Sequence, residues 1–300
     1  MLKIVDNYSD ANCITHSGSF HADEVFATAF LELLKKDIKV FRTPKIDFIV
    51  NSDVIVYDIG RGEFDHHQIG AKVRENNIPY SSFGLLWNKF GLDLLTSIGI
   101  DYKEEVFKVV DKDLIEQIDA IDNGVFPKIE ADYTVKTISD VIKVFNPSFS
   151  TPQDENTQFF RACSVAKDVL TEVIFQSYGK VVAREKINNI ISNNIGEEYI
   201  VLDEFIPYED TLLSNIDAKD IKFVIYPSNR GGYAVKTVPV SKDNREDRLS
   251  FPVSWRGLED KMLEKEANIS GLLFCHKSGF LLTVEDLKKA EEVVHIVLNK

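Results

Sequence analysis

The N-terminal third of the chain alternates short apolar runs with one amphipathic stretch. Residues 12–15 lead into a small polar loop, and apolar side chains then recur at helical spacing over 24–36. Two further runs, 38–42 and 53–58, are short and rich in β-branched and aromatic residues. The second is continuously apolar at 54–57, which is typical of a strand buried in a parallel sheet. Strands separated by a helix in this way predict an α/β sheet.

Helical patterns dominate the middle of the chain. Ser81 and Ser82 are predicted to cap a helix that runs towards Leu95, and a second helical pattern covers 102–121. Residues 155–195 are helical in pattern throughout, and we interpret 151–200 as a helical connection between two domains.

The last third changes to shorter, strand-like runs. These runs lie at 223–226, 233–238 and 271–276. A turn is predicted at 229–232, and Thr283 is predicted to cap a closing helix that ends at Leu298. The chain is therefore predicted to be an α/β protein. A parallel-sheet domain with helices on both faces (1–150) precedes the helical connection (151–200), and a smaller C-terminal α/β domain (201–300) follows.

Composition places the chain among ordinary globular proteins. Its 300 residues are 44% hydrophobic and 28% charged, which is enough apolar material for a large core. No run approaches the ~20 apolar residues that a membrane span needs, so no membrane partner is expected. The first seven residues lack the apolar core of a secretory signal. We expect a soluble cytoplasmic protein, and a homodimer is compatible with the sequence.

Charge and cysteine content exclude two classes of protein. The net charge of −13 disfavours a nucleic-acid coat protein, which is usually basic. Three scattered cysteines without a CxxC pair indicate neither a disulfide framework nor a thiolate zinc site. Cys13 stands in an apolar strand, and we interpret it as a core residue rather than a nucleophile.

Histidine and aspartate are concentrated in four clusters before residue 125. The clusters are His16/His21/Asp23, Asp58, Asp65-His66-His67 and Asp119/Asp122. The first two follow predicted strands, and ligands of α/β sheets gather at the carboxyl ends of strands. Mixed imidazole and carboxylate ligands suit Mn²⁺, Zn²⁺ or Fe²⁺ better than Ca²⁺. One tetrahedral site cannot use so many ligands, whereas two ions that share a bridging carboxylate can.

The clusters belong to longer motifs that resemble a known family. Asp65-His66-His67 after a strand-end aspartate resembles the DHH phosphoesterase superfamily. The chain resembles more closely the MYG family, a branch of metal-dependent exonuclease-like proteins that act on RNA. The motifs that carry this resemblance are THSGSFHADE at 15–24, YDIG at 57–60, FDHHQ at 64–68, IDNG at 121–124, PVSWRGL at 252–258 and FCHKSGF at 274–280. The pair Asn146-Pro147 also resembles the family.

The resemblance implies a set of site residues in the first domain. The implied metal ligands are His16, His21, Asp23, Asp58, His66 and Asp122. Asp58 would bridge two divalent ions, with Mn²⁺ as the first candidate and Mg²⁺ or Zn²⁺ as alternatives. Asp58, His66 and His67 would be the catalytic residues, and His67 would face the substrate or support a ligand. The choice of Asp122 over Asp119 depends on the Asn-Gly that follows it.

The C-terminal domain is expected to supply the basic groups that bind substrate phosphates. The candidates are Arg248, Arg256, His276, Ser278 and Gly279. The resemblance implies a 3′–5′ exonuclease on RNA or short oligonucleotides that uses a metal-bound water as nucleophile. A phosphoesterase acting on pyrophosphate, a nucleotide or a dinucleotide is the alternative. A non-catalytic metal- or nucleotide-binding protein is the third hypothesis, because His21 replaces a carboxylate that the superfamily usually has.

Overall fold

The computed structural model of the chain describes residues 1–299. It divides into two compact units, an N-terminal unit of Met1–Gly179 and a C-terminal unit that begins at Lys180. Within residues 1–299, no helix combines the length and the apolar character needed to cross a lipid bilayer.

A four-stranded parallel sheet forms the centre of the N-terminal unit. Its strands are β1 (Leu2–Val5), β2 (Cys13–His16), β3 (Ile38–Thr43) and β4 (Ile55–Val56). They lie in the order β1-β3-β2-β4, so β2 is an inner strand that pairs with β3 and β4. Because all pairs are parallel, the carboxyl ends of β2 and β4 lie at the same edge of the sheet.

Helices flank this sheet and build an aromatic core. The helices before residue 150 are α1 (Ala22–Lys35), α2 (Ser82–Ser97), α3 (Lys103–Val110), α4 (Glu116–Asp122) and α5 (Ile138–Lys143). The packing of α1 on α2 places the Phe26 and Phe83 rings 5.6 Å apart and the Phe30 and Trp87 rings 5.7 Å apart. All four side chains are fully buried. Burial of apolar surface stabilises the folded chain by about 25 cal/mol for each Å² removed from water.

The helix predicted over 102–121 is interrupted. A π-helical segment at 111–115 separates α3 from α4. In it, Asp111 accepts two hydrogen bonds from the Arg74 guanidinium, at 3.2 and 2.7 Å. A π-bulge shifts the helix face by one residue, and such bulges are frequent near functional sites. The hydrophobic spacing of the sequence does not reveal it.

Helix α6 (Glu155–Asn193) has 39 residues and confirms the helical prediction for 155–195. Its first half buries Phe159, Cys163 and Leu170 in the N-terminal unit. Its last turns place Ile187 and Ile191 in the core of the C-terminal unit.

The C-terminal unit contains a five-stranded mixed sheet. Its strands are β5 (Tyr199–Val201), β6 (Phe223–Pro227), β7 (Tyr233–Thr237), β8 (Leu272–Cys275) and β9 (Leu281–Val284), in the order β5-β6-β7-β9-β8. Its shorter helices are α7 (Glu209–Ser214), α8 (Asp260–Ala267) and α9 (Leu287–Leu298). The predicted α/β class is confirmed, with a parallel sheet followed by a second sheet.

The predicted start of the last helix is wrong. Thr283 lies in β9, where it pairs with Ala234 of β7. Helix α9 begins at Leu287, and the Asp286 side chain caps it by accepting a hydrogen bond from the Lys289 amide at 2.9 Å. Threonine is common both at helix caps and in strands, so the residue type alone does not distinguish the two positions.

Candidate metal centre

The candidate site lies at the edge of the parallel sheet where β2 and β4 end. His16 is the last residue of β2. After β4 the chain continues through Tyr57, whose amide donates to the Ile14 carbonyl at 3.0 Å, to Asp58. The chain then returns so that Phe64 pairs with Tyr57, and the Asp58 amide donates to the Phe64 carbonyl at 3.0 Å. This pairing brings the segment that starts at residue 65 beside Asp58.

The turn after β4 has an unusual backbone. Asp58 and Arg61 both have φ of +56°, and Gly60 has φ of +87°. Left-handed backbone costs a non-glycine residue about 1–2 kcal/mol, and such strain concentrates at functional sites. The Arg61 amide donates to the Asp65 carboxylate at 2.6 Å, which fixes the turn against the next motif.

Two groups of ligand-type atoms meet at Asp58. Its Oδ2 lies 3.1 Å from His16 Nε2, and its Oδ1 lies 3.2 Å from His66 Nε2. His16 Nε2 is also 2.9 Å from Glu24 Oε1, and His66 Nε2 is 3.0 Å from Asp122 Oδ2. Neighbouring ligands of an octahedral ion with bonds of about 2.1 Å lie about 3.0 Å apart. The four distances fit two groups of donors that share the Asp58 carboxylate.

Hydrogen bonds at the other ring nitrogen orient both imidazoles. His16 Nδ1 lies 3.0 Å from the Ser17 carbonyl, which only accepts, so Nδ1 carries the proton. His66 Nδ1 lies 3.1 Å from Asn123 Oδ1. The Asn123 amide orientation is fixed because its Nδ2 donates to the Tyr80 and Asp119 carbonyls. With Nδ1 carrying a proton, loss of the second proton leaves the free lone pair of each ring at Nε2, which is the atom directed at the carboxylates and the one a metal ion would bind.

His67 is oriented differently. Its Nδ1 lies 2.9 Å from Asp65 Oδ1, and the same oxygen accepts the His67 amide at 3.0 Å. Asp65 is buried, whereas the His67 side chain is 61% exposed. The ring is thus held by a buried carboxylate at Nδ1. That arrangement suits a group that exchanges a proton with a bound molecule.

Asp23 is the strongest sign that a cation belongs here. It lies in the first turn of α1 and is fully buried. Neither of its carboxylate oxygens has a hydrogen-bond partner within residues 1–299. It has ligand oxygens within 4.8 Å of those of Glu24, Asp58 and Asp122. Burial, and then the charges of Asp58, Asp122 and Glu24, raise the pKa of Asp23 well above its usual range.

The same group of carboxylates shifts the pKa values of the two histidines. Burial lowers the pKa of His16, but Asp58 and Glu24 outweigh burial and raise it to about 11. Burial likewise lowers the pKa of His66, and Asp122 and Asp58 raise it to about 10. Burial raises the pKa of Asp58, but His16 and His66 outweigh that effect and hold it below its ordinary range. Protons on the imidazoles therefore offset the charge that divalent ions would neutralise.

Glu24 is a site residue that the sequence did not indicate. It is fully buried in the first turn of α1, and it lies within ligand distance of His16, Asp23 and Asp58. Both of its carboxylate oxygens also accept the His21 amide, at 2.9 and 3.0 Å. In the sequence it looks like an ordinary acidic residue near a helix N-terminus. Only its burial distinguishes it from such a residue.

Asp119 and Asp122 have different surroundings. Asp119 Oδ1 accepts hydrogen bonds from the Ser81 hydroxyl at 2.5 Å and the Gly84 amide at 3.1 Å, and Oδ2 lies 2.7 Å from Arg74 Nη1. A Cβ on Gly84 would lie 1.9 Å from Asp119 Oδ2, so this close approach requires glycine. Asp122 instead lies beside His66 and, at 3.9 Å, beside His21 Nδ1. Asp119 serves packing, and Asp122 lies in the cluster.

His21 lies at the rim of the cluster. It is the N-cap residue of α1, and its side chain is 61% exposed. Its ring centroid is 6.0 Å from that of His16, and its ring nitrogens come within 4.8 Å of ligand atoms of Asp23 and Asp122.

Cys13, two residues before the Thr15-His16 motif, is fully buried in β2. Burial raises the pKa of its thiol to about 12. It is a core residue, as predicted, because a buried thiol with so high a pKa is not a nucleophile.

The substrate-binding candidates all lie in the C-terminal unit. Arg248 Nη1 donates to three backbone carbonyls, those of residues 218, 219 and 221. Arg256 Nε donates to the Phe251 carbonyl at 3.0 Å, and a Cβ on Gly279 would lie 2.4 Å from that nitrogen. His276 Nδ1 accepts the Ser278 amide at 3.1 Å. Ser278 is exposed and lines a cavity of about 630 Å³.

Other basic side chains of this unit are paired with acids of helix α7. Lys236 and Arg245 share the Glu209 carboxylate, at 3.2 and 2.7 Å. Lys242 lies 2.8 Å from Asp210. The charges of these three basic side chains are therefore offset within the unit itself.

Fold and site together define an α/β protein whose sheet edge carries imidazoles and carboxylates that could hold metal ions. Residues 12–298 match the model of a family described as Uncharacterised protein family (UPF0160), MYG1_exonuc. The chain belongs to this MYG1 family, which confirms the resemblance of its motifs.

Relatives of the chain match it over most of its length. It is 32% identical over 304 residues to a MYG1 protein of Dictyostelium discoideum, covering 91% of this chain and 92% of that protein. It is 30% identical over 320 residues to a MYG1 protein of Saccharomyces cerevisiae, covering 93% of each. It is 29% identical over 301 residues to the MYG1 exonuclease of Homo sapiens, covering 89% of this chain and 80% of that protein. No solved structure matches the chain.

Proposed function

We propose that the chain is a metal-dependent phosphodiester hydrolase, and specifically a 3′–5′ exonuclease on RNA or short oligonucleotides. The observation that carries this proposal is the cluster in which one carboxylate, Asp58, lies within 3.2 Å of two differently placed histidines. The unpaired, buried Asp23 supports it, because an isolated buried carboxylate is costly unless a cation compensates it. Relatives named MYG1 exonuclease support the nuclease activity.

The proposed ligands of two divalent ions come from β2, α1, the turn after β4, and the end of α4. They are His16, His21, Asp23, Glu24, Asp58, His66 and Asp122. Mn²⁺ is the first candidate because the family resemblance implies it, and the imidazole and carboxylate donors are compatible with it and with the alternatives Mg²⁺ and Zn²⁺. When bound, such ions neutralise charge on phosphoryl oxygens and make a water nucleophilic near neutral pH.

Other residues of the chain orient the proposed ligands, and His67 is the proposed proton donor. The Ser17 carbonyl and the Asn123 amide keep Nε2 of His16 and His66 directed to the cluster. Asp65 accepts the Nδ1 proton of His67, so His67 would act as an acid only when Nε2 also carries a proton. We propose that this Nε2 proton passes to the leaving oxygen and leaves a neutral imidazole whose Nδ1–H still binds Asp65. His276 and Ser278 remain proposed substrate contacts.

Hydrolysis of a small phosphate compound is the second candidate, and one observation favours it. Lys236, Lys242 and Arg245 are paired with acids, and Arg248 is hydrogen-bonded to backbone carbonyls. A polynucleotide groove usually presents a row of free cations that follow the backbone. This electrostatic arrangement favours short oligonucleotides over long RNA, and it equally suits nucleotides or dinucleotides.

The test uses RNA labelled at either end, with Mn²⁺ as the added ion. Release of mononucleotides from the 3′ end, abolished by chelator and by Asp58→Asn, is the expected result. Asp53→Asn, at an exposed position, is the matched control and should keep full activity. Turnover restricted to small phosphate compounds would replace the exonuclease proposal by the second candidate. Equal turnover by Asp58→Asn would overturn the proposal that Asp58 is shared by two metal-binding groups.

A further inference from the structure

The four-residue segment 17–20 joins His16, at the end of β2, to His21, at the cap of α1. We call it the site loop. It includes Gly18 at φ +91°, in the left-handed region that favours glycine. The loop sets the distance between two proposed ligands. An irregular loop keeps one conformation only if other groups bind its backbone donors and acceptors.

Asn146 binds both backbone groups of Phe20 in the site loop. The Phe20 amide donates to Asn146 Oδ1 at 2.9 Å, and Asn146 Nδ2 donates to the Phe20 carbonyl at 2.8 Å. The two residues are 126 positions apart in sequence. Among side chains of this size, only asparagine offers a donor and an acceptor side by side, so the pairing is specific to an amide.

Glu155 and Arg42 hold the other half of the loop. The Gly18 amide donates to Glu155 Oε1 at 2.7 Å, and Arg42 Nη2 donates to the Gly18 carbonyl at 2.9 Å. Arg42 Nε donates to the His16 carbonyl at 3.2 Å, and Arg42 Nη1 lies 2.7 Å from Glu155 Oε1. The Arg42 guanidinium stacks over the Phe159 ring at 4.3 Å, and its side chain is 1% exposed.

The buried Phe20 side chain anchors the site loop in the core. Its ring meets the Phe159 ring edge-on with centroids 5.5 Å apart. The Ser17 amide donates to the Thr43 carbonyl at 3.0 Å. The site loop is therefore held by one strand and by side chains from the segment that precedes α6 and from its first turn.

We propose that Asn146 is a positioning residue for the metal centre, and that the Arg42–Glu155 pair shares this role. The inference rests on the proposed function, because it assigns His16 and His21 as ligands. Metal ligands need to be held within about 0.5 Å of their working positions by such supporting contacts. Without the amide of Asn146, the Phe20 peptide loses both of its hydrogen-bond partners, and the separation of the two imidazoles is less tightly fixed.

The experiment compares Asn146→Asp and Asn146→Ala with the wild-type protein. Asn146→Asp keeps the acceptor for the Phe20 amide but places an oxygen against the Phe20 carbonyl. Loss of a supporting contact typically weakens metal binding about 10- to 100-fold. We expect Mn²⁺ affinity, measured by calorimetry, to fall in that range, and the visible absorption spectrum of the Co²⁺ form to shift.

The control is Thr137→Ala, which removes the cap of the neighbouring helix α5, where the Asp140 amide donates to Thr137 Oγ1 at 3.2 Å. This variant should melt at a lower temperature but keep Mn²⁺ affinity within about twofold, since caps act on helix stability. Glu155→Gln, which keeps an acceptor for the Gly18 amide but loses the charge pair, should weaken Mn²⁺ binding severalfold. If the Asn146 variants do not fold, the Mn²⁺ affinity of Glu155→Gln tests the positioning role of the contacts to the site loop, and an unchanged affinity would overturn it.

Wild-type Mn²⁺ affinity and an unchanged Co²⁺ spectrum in folded Asn146 variants would overturn the positioning role. The positioning role would also be overturned if Thr137→Ala weakened Mn²⁺ binding as much as the Asn146 variants do, because general destabilisation would then explain the loss of affinity. A wild-type protein that binds neither ion would instead overturn the proposed function.

Discussion

Asp23→Asn is expected to stabilise the metal-free protein while it removes the response to metal. Asp23 is fully buried, and its oxygens have no hydrogen-bond partner in the described chain. It lies within 4.8 Å of ligand oxygens of Glu24, Asp58 and Asp122. Asparagine has the same shape without the charge, so the substitution removes repulsion and leaves the packing intact.

The magnitude follows from these distances. Two unit charges 4.8 Å apart repel by about 3.5 kcal/mol at an effective dielectric constant of 20. Protons on Asp23 itself and on His16 and His66 already remove part of that repulsion. A net gain of about 1–3 kcal/mol in the free energy of unfolding is therefore expected. For a unit of this size it corresponds to a melting temperature raised by about 3–10 °C.

The assay is a thermal melt of chelator-treated protein, with and without Mn²⁺. Wild type should gain about 2.7 kcal/mol when Mn²⁺ is present at 100 times its dissociation constant, and Asp23→Asn should gain little. The matched control is Asp53→Asn, which should melt like wild type in both conditions. A metal-free Asp23→Asn protein that melts below wild type, or that keeps the full Mn²⁺ shift, refutes the reasoning.

Three further results are expected. Asp58→Asn should lower Mn²⁺ affinity and phosphodiester turnover at least 100-fold, because both groups of ligands share this residue; turnover near the wild-type rate would contradict the bridging role. Mn²⁺ affinity should rise with pH by up to about tenfold per unit for each proton released, since His16 and His66, with pKa values of about 11 and 10, bind protons that metal must displace. Calorimetry between pH 6 and 8 checks this, and a constant affinity would contradict it. Gly84→Ala should lower stability by about 1–3 kcal/mol in a denaturant melt, because its Cβ would overlap the Asp119 carboxylate, and an unchanged midpoint would argue against that contact.

The grouping of His16, Asp23 and Asp58 was predictable from the sequence for a simple reason. In a parallel sheet, the ends of neighbouring strands and the first turns of the following helices meet at one edge. His66 follows the turn after β4 and Asp122 ends α4, so only the family resemblance of their motifs grouped these two residues with the others. Their role as ligands remains a proposal, but their proximity is a property of the fold.

The contacts that support the cluster could not be predicted in the same way. Glu24 has the sequence context of any acidic first-turn residue, and its burial arises only when α1 packs on the sheet. Arg42 and Glu155 are 113 positions apart, so no local pattern joins them. Likewise, Lys236 and Arg245 are 27 and 36 positions from Glu209, so no local pattern indicates that this carboxylate pairs with both of them.

The charge distribution links metal binding to substrate binding. The chain carries a net charge of −13, and Asp23, Glu24 and Asp58 are buried together at the proposed site. Long-range electrostatics therefore repel a phosphate ester from the metal-free protein. Two divalent ions would add four positive charges at one place, which offset the four negative charges of the carboxylates of Asp23, Glu24, Asp58 and Asp122 and remove that repulsion. In this protein the ions should thus be needed for substrate to bind, and not only for its hydrolysis, so chelation should abolish binding of a non-hydrolysable oligonucleotide analogue. Undiminished binding of that analogue without metal would place its recognition in the C-terminal unit instead.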